Sequence, residues 1–277
     1  MKNNIKLNYV LLILVFIFTD NIFASNDKVG LNIHGGVIHD DNTTGVLDTV
    51  EESGAKWIRT TFHWRFLEPS KGEFQTLYQD QEIVNLKAHN LQVLAILGYC
   101  PYWASDAPDS ETDPVKREHY KPKNYQDYVD FVTWAVNRYK PHGLLSQENG
   151  WTDDYGVRYW QIWNEENRGF WHGENPWEYI DLLRVAYNAI KAADPNAKVV
   201  FGGTAPVRGG FANPSSKEKI LRRKNIKSFQ NKAFLNCEHS CEFVGIVTIW
   251  MYYSHNMVTK TKADGILFQQ TFPISFD

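Results

Sequence analysis

Cysteine is scarce in this 277-residue chain, limited to Cys100, Cys237 and Cys241. Cys237 and Cys241 (CEHSC) either pair locally, leaving Cys100 free, or remain thiols; with His239 they lack a fourth ligand and the spacing of a zinc knuckle, so no metal site is expected. No block of Lys and Arg stands out, and the formal net charge of −3 is near balance, which argues against nucleic acid and polybasic membrane partners. After residue 24 no apolar run approaches the roughly 20 residues of a membrane span. There is no repeat, no low-complexity segment and no linker. With 43% hydrophobic and 22% charged residues, a disordered or fibrous chain is excluded.

Aromatic residues are abundant. Ten Trp, 14 Tyr and 16 Phe make 14% of the chain. Such a stock suits a site that stacks flat, weakly polar ligands, and a large core consumes aromatics as well. The N-terminus carries Lys2 and Lys6, an apolar run from Tyr9 to Phe18, and Ile22-Phe23-Ala24 as a cleavage site. It reads as a signal peptide over residues 1–24, with an uncleaved N-terminal anchor as the alternative, which predicts a secreted or periplasmic protein with one domain over 25–277 and no membrane association after cleavage.

In the mature part, β-rich runs alternate with helical patterns. Strands are expected at Val29 to His34, Lys56 to Phe62, Leu91 to Gly98, Val157 to Trp163, Lys198 to Gly202 and Phe243 to Trp250. Asn124 precedes the helical stripe Tyr128, Phe131, Ala135 and Tyr139, and Pro141 stops it. Asn175 with Pro176 and Glu178 starts another helix, on which Tyr179, Leu183, Ala186 and Ile190 share a face. Thr76 to His89 is a third, less regular one. Strand and helix repeated without a hairpin mean α/β. The turn after the first strand, Val29 to Gly36, is not a dinucleotide-binding glycine fingerprint. A (β/α)8 TIM barrel fits better, with its site at the C-terminal strand ends.

Those ends gather Asn32 and His34, Arg59 with His63 and Trp64, Tyr99 with Tyr102 and Trp103, Trp163-Asn164-Glu165, and Tyr252. Rings beside a few fixed donors and acceptors suit sugar recognition, in which C–H faces pack on rings and hydroxyls are hydrogen-bonded. His34, Arg59, Trp64, Tyr99, Trp103, Trp163, Asn164 and Tyr252 are the candidate substrate-binding residues. Glu165 is the candidate catalytic carboxyl, because a strand-end Glu among apolar neighbours holds its proton toward neutral pH; a structural Glu paired with Arg59 is the alternative. Adjacent residues of a strand face opposite ways, so Glu165 and Glu166 are not expected to be a catalytic pair. Glu68, in a Glu-Pro turn, is expected to anchor its loop.

Trp57-Ile58-Arg59, Trp64, Leu67-Glu68-Pro69 and Gly72-Glu73-Phe74 resemble the second βα unit of clan A glycoside hydrolases. Gly98 to Ser105 looks like their third-strand loop, Tyr159 to Glu165 is similar to their fourth-strand motif, and Ala193 to Gly203 to the passage into strand five. The nearest likeness, over about residues 29 to 253, is to the family 39-like branch of β-xylosidases and α-L-iduronidases, with the cellulase-like branch beside it. The resemblance implies Glu165 as general acid/base, Asn164 on the sugar 2-hydroxyl and Arg59 orienting the carboxylates. It also implies a retaining mechanism without a cofactor, needing a nucleophilic Glu on strand seven about 5 Å from the first.

That second Glu is missing. After Glu242 the 35 remaining residues contain no Glu, only Asp264 and Asp277. Gly265 to Thr271 is a possible seventh strand, with Gln269 or Gln270 near the nucleophile's place. About six to seven strands are counted, as in a barrel lacking its last βα units. The sequence therefore predicts a secreted glycoside hydrolase-like protein acting on a β-linked oligo- or polysaccharide. The alternatives are a non-catalytic carbohydrate-binding protein or an inactive truncated fragment.

Overall fold

A computed structural model describes residues 29–33, 38–41, 45–166, 171, 176–203, 247–253, 256–263 and 266–270, the last three stretches as backbone. Strand β1 is Val29–Asn32, helix α1 Val46–Glu52, β2 Trp57–His63, α2 Trp64–Leu67, α3 Leu77–Ala88 and β3 Gln92–Gly98. They are followed by α4 Pro114–Arg117, α5 Tyr125–Tyr139, α6 Leu144–Glu148, β4 Tyr159–Ile162, α7 Pro176–Ala193 and β5 Lys198–Val200. The last strands are β6 Val247–Tyr253, β7 Asn256–Ala263 and β8 Ile266–Gln270.

One sheet runs in the order β5-β4-β3-β2-β1-β8-β7-β6. Strands β1 to β5 pair in parallel, each crossing over through at least one helix, and β8 joins β1 in parallel, as the last strand of a barrel would. The fold is thus α/β of the TIM-barrel kind. Among the described residues no pairing joins β5 to β6, so the ring is not closed. The two halves differ in how they are connected. Strands β6, β7 and β8 form an antiparallel meander, which corrects the expectation of a hairpin-free chain. Only two residues separate β6 from β7 and β7 from β8, too few for a crossover of a dozen or more.

The helices form where the sequence caps them. The Asn124 side chain accepts a hydrogen bond from the Gln126 backbone N–H, and α5 buries Tyr128, Phe131, Val132, Ala135, Val136 and Tyr139 on one stripe. Helix α7 starts at Pro176 and packs Tyr179, Leu183, Ala186 and Ile190 inward, while Asn175 lies outside the described residues. Helix α3 is unusual, since Gln79 and Glu82 are buried alongside Ile83 and Leu86. Polar residues on its inner face explain why its apolar period is weak in the sequence.

Between the sheet and these helices lies an aromatic core. Phe62 meets Tyr139 and Trp160 edge-on at 5.0 and 5.7 Å, and Trp64 stacks on Phe131 at 5.3 Å. Full burial of such rings stabilises by roughly 1.5–3 kcal/mol each. Much of the aromatic content is therefore spent on packing. On the other face of the sheet, register aligns Asn32 with Arg59 and Leu94, and Thr61 with Ile96 and Gln161. These rows line the barrel interior.

Candidate active site

Arg59, in the interior of β2, organises the strand ends. Its Nη1 donates to Asn32 Oδ1 at 2.7 Å, its Nη2 to Asn164 Oδ1 at 2.7 Å and its Nε to Gln161 Oε1 at 3.0 Å. One rigid guanidinium thus ties β1, β2 and the end of β4 together. Burial lowers its pKa to about 10, with Tyr99 and Glu165 pulling the other way, so it stays charged at neutral pH. Gln161 passes the order onward, its Nε2 donating to the Trp163 carbonyl at 2.6 Å.

Tyr99 stands at the end of β3, where a hydrogen bond links its hydroxyl to Asn164. Burial raises its pKa to about 12, against the opposing pull of Arg59. Glu165 acts electrostatically on both Arg59 and Tyr99, and its backbone N–H donates to the Gly203 carbonyl at 2.9 Å, just past β5. Backbone strain collects here. Tyr99, Trp163 and Glu165 have φ of 71°, 62° and 49°, the left-handed region that costs non-glycine residues roughly 1–2 kcal/mol. Such outliers persist where the surroundings over-determine them, typically at functional sites.

The structure thus brings Arg59, Tyr99, Asn164 and Glu165 together and places other candidates elsewhere. Trp64 is wholly buried; its indole N–H donates to Glu68 Oε2 at 2.6 Å, and it belongs to the core, not to a ligand surface. Trp163 is also wholly buried, its ring among Tyr99, Tyr128 and Trp171, so it supports the site from beneath. Trp103 is half-buried against Trp64 and donates to the Glu68 carbonyl at 3.0 Å, away from the Arg59 hub. Both corrections concerning Trp64 and Trp163 have one cause: an indole at a strand end packs down into the nearest apolar layer. Glu68 anchors its loop, as its second oxygen accepts from the Gly72 N–H at 2.8 Å. His34, Cys237 and Cys241 lie outside the described residues, as does the side chain of Tyr252, whose backbone is in β6.

Two features escaped the sequence reading. The first is Glu166. It is 7% exposed, neither of its oxygens has a hydrogen-bond partner from another of the described residues, and burial beside the charge of Glu165 raises its pKa to about 8. Its carboxyl lies against Gly202, where a Cβ would come within 2.2 Å of Oε2. Only glycine leaves that space, so the Gly202-Gly203 pair carried a signal. The neighbouring carboxyls are therefore set apart, one half-exposed and one buried and protonated at neutral pH.

The second is a cavity of about 970 Å³ at the ends of β2 and β3, lined by residues from α2 to α4 and by Tyr99. It meets the Arg59 hub through Tyr99 alone, since neither Arg59, Asn164 nor Glu165 lines it. In it, Arg65 Nη1 lies 2.7 Å from Glu118 Oε2, an ion-pair distance at an angle outside hydrogen-bond geometry. His63 and His119 reach Glu118 Oε1 at 3.7 and 3.6 Å. Burial, Arg65 and His119 push His63 down to about 3, so it is neutral, and burial raises Glu118 to about 6 against the pull of Arg65.

No family model matches the chain, and no curated protein sequence does. Solved structures do. A monomeric β-xylosidase from Caulobacter crescentus CB15 is similar over 85% of this chain and 45% of its own, at 20% identity and a TM-score of 0.50. A GH39 β-xylosidase from Caulobacter crescentus is similar over 82% of this chain and 54% of its own, at 19% identity and a TM-score of 0.51. The GH39 enzyme from Xanthomonas axonopodis pv. citri is similar over 86% and 44%, at 18% identity and a TM-score of 0.51. Likeness at this identity establishes the fold, the barrel architecture of glycoside hydrolases. The chain spans between 31% and 54% of the length of these and of a family 39 glycoside hydrolase from Bacteroides cellulosilyticus WH2.

Proposed function

We propose that this protein is glycoside hydrolase-like, acting on the O-glycosidic bond of a β-linked saccharide, with Glu165 as the proton donor. The observation that carries this is the Arg59 hub, which fixes Asn164 and Tyr99 beside a half-exposed, backbone-strained carboxyl at the barrel mouth. Glu165 would protonate the glycosidic oxygen as the bond breaks, and Asn164 would hold a hydroxyl of the sugar. The structural neighbours named as β-xylosidases make a xyloside the first substrate class to try.

The retaining mechanism also needs a second carboxylate, about 5 Å from the first. Register sets Gln269 opposite Leu31 and Gln270 opposite Asn32 on β8, and no Glu follows Glu242 in the sequence. This favours a second reading, a saccharide-binding protein without turnover of its own. Release of phenol from aryl β-xylosides, β-glucosides and β-mannosides, with and without added azide, separates the two. Azide can attack the anomeric carbon in the role of a carboxylate nucleophile and leave as the glycosyl azide while Glu165 protonates the departing oxygen. The first reading predicts azide-dependent release that Glu165→Gln cuts by a factor of about 10²–10⁴. No release with any substrate, together with measurable saccharide binding, establishes the second.

Export belongs to the same proposal, supported by the charged start and the apolar run from Tyr9 to Phe18. N-terminal sequencing of the exported protein is expected to begin at Ser25.

A further inference from the structure

Tyr99 joins the cavity to the Arg59 hub, and it is held in a conformation that disfavours a side chain. It lines the cavity, its hydroxyl is bonded to Asn164, and its φ of 71° is in the left-handed region. Such a residue stays in place only where its neighbours hold it. On the cavity side, the Arg65 backbone N–H donates to the Tyr99 carbonyl at 3.0 Å, and the Cys100 N–H donates to the Glu118 carbonyl at 2.8 Å. The peptide unit between Tyr99 and Cys100 is thus fixed at both of its polar atoms. Two rings hold the phenol. His63 stacks on it at 4.8 Å with 29° between the planes, and His119 meets it edge-on at 5.7 Å.

The residues that hold Tyr99 from this side also meet one another, at a single carboxyl. Arg65 Nη1 stands 2.7 Å from Glu118 Oε2, and the Nε2 atoms of His63 and His119 stand 3.7 and 3.6 Å from Glu118 Oε1. They come from the end of β2, from α2 and from the residues just after α4. Glu118 is 6% exposed, so its attraction to Arg65 is little screened. The charged and titratable groups around it are Arg65 from α2, His63 from β2, Tyr99 and Cys100 from the end of β3, and Asp113 and His119 on its own segment. Burial raises its pKa from 4.5 to about 6, with Arg65 pulling down and Asp113 pushing up, so its ionisation does not stabilise the fold. What the carboxylate supplies is a common partner for the groups around Tyr99.

We propose that Glu118 is a positioning residue, whose carboxylate gathers His63, Arg65 and His119 around Tyr99 and so fixes the Tyr99–Asn164 bond beside Glu165. Its functional part rests on the reading of the Arg59 hub as a saccharide site. Protonation of Glu118 releases Arg65 and slackens the hold on Tyr99. The hub is therefore ordered above about pH 6 and loosened below it. His63, pushed down to about 3, stays neutral on both sides of that change.

Two readouts test this on the full chain. The first is nuclear magnetic resonance of tyrosine labelled with ¹³C at the ζ carbon, with Tyr99 assigned by its loss in Tyr99→Phe. From pH 7 to pH 5 its resonance is expected to move toward the position it takes in Asn164→Ala, with a midpoint near pH 6, and to stay still in Glu118→Gln. The wild-type series needs no variant to fold. The second is calorimetric titration with methyl β-xyloside, methyl β-glucoside and methyl β-mannoside at pH 7. Glu118→Gln and Tyr99→Phe are each expected to weaken the bound glycoside about fivefold, and the double variant by no more than that, because both remove the same contact. Losses that multiply in the double variant mark Glu118 as a structural ion pair and overturn the proposal. A Tyr99 resonance that is constant over this range overturns it too, as does a pH response that survives in Glu118→Gln, which would belong to His119. A Tyr99 resonance that follows Glu118 in a chain that binds no glycoside upholds the positioning and overturns only the saccharide reading of the hub.

Discussion

Two polar clusters sit side by side at the strand ends and share Tyr99, yet they are built on opposite terms. Around Arg59, three amide oxygens from three parts of the sheet take one guanidinium. In the cavity, His63 Nδ1 is buried with no hydrogen-bond partner among the described residues, while Glu82 is held by Gln79 and Thr60. The first cluster pairs its polar groups internally and holds its neighbours still. The second lines an open concavity. The two share Tyr99 and otherwise draw on different residues.

Breaking the self-sufficient cluster is expected to have the largest effect. Arg59→Met leaves the buried amide of Gln161 and the half-buried amides of Asn32 and Asn164 without their donor, and is expected to lower unfolding stability by about 3 kcal/mol in urea titrations. Glu166 comes next, read through pH. Its folded pKa of about 8 lies above the ordinary carboxyl value of 4.5, so the folded state keeps a proton that the unfolded state gives up. Stability from this group is complete below pH 4.5 and declines up to about pH 8. Glu82 and Glu118 act with the same sign, but their decline ends near pH 7 and 6. Between pH 7 and 8, Glu166→Gln is therefore expected to flatten a decline on the order of 1 kcal/mol per pH unit, seen as a thermal midpoint that no longer falls.

Smaller effects sharpen the contrast. Tyr99→Phe removes the hydroxyl that bonds Asn164 and is expected to reduce stability by about 1 kcal/mol, with a matching loss in saccharide affinity. Glu82→Gln is expected to change stability by less than about 1 kcal/mol at pH 5, because below its raised pKa of about 7 the carboxyl is already neutral and the amide keeps its shape beside Gln79 and Thr60.

The parallel half was legible because each strand is a short apolar run and each helix has a cap or a proline stop. Asn124 caps α5, and Pro176 opens α7. The meander was less legible, although Asp264-Gly265 is a hairpin dipeptide between two β-prone runs. The Arg59 hub could be guessed from strand-end residue types, but its partners could not, because they follow from register between strands about a hundred residues apart in sequence. The indoles misled for a related reason. Nothing in the sequence separates Trp64, which packs inward, from a ring that faces a ligand. Glu166 and Glu82 were invisible because a buried carboxyl has the same letter as a solvated one.

The claim that Glu165 delivers the proton is tested most directly by leaving-group dependence. With azide present, phenyl β-xyloside needs a proton on its departing oxygen, whereas 2,4-dinitrophenyl β-xyloside does not. Glu165→Gln is predicted to slow phenol release from the first by about 10²-fold or more and to leave the second nearly unchanged. Equal slowing of both, or of neither, would contradict the assignment.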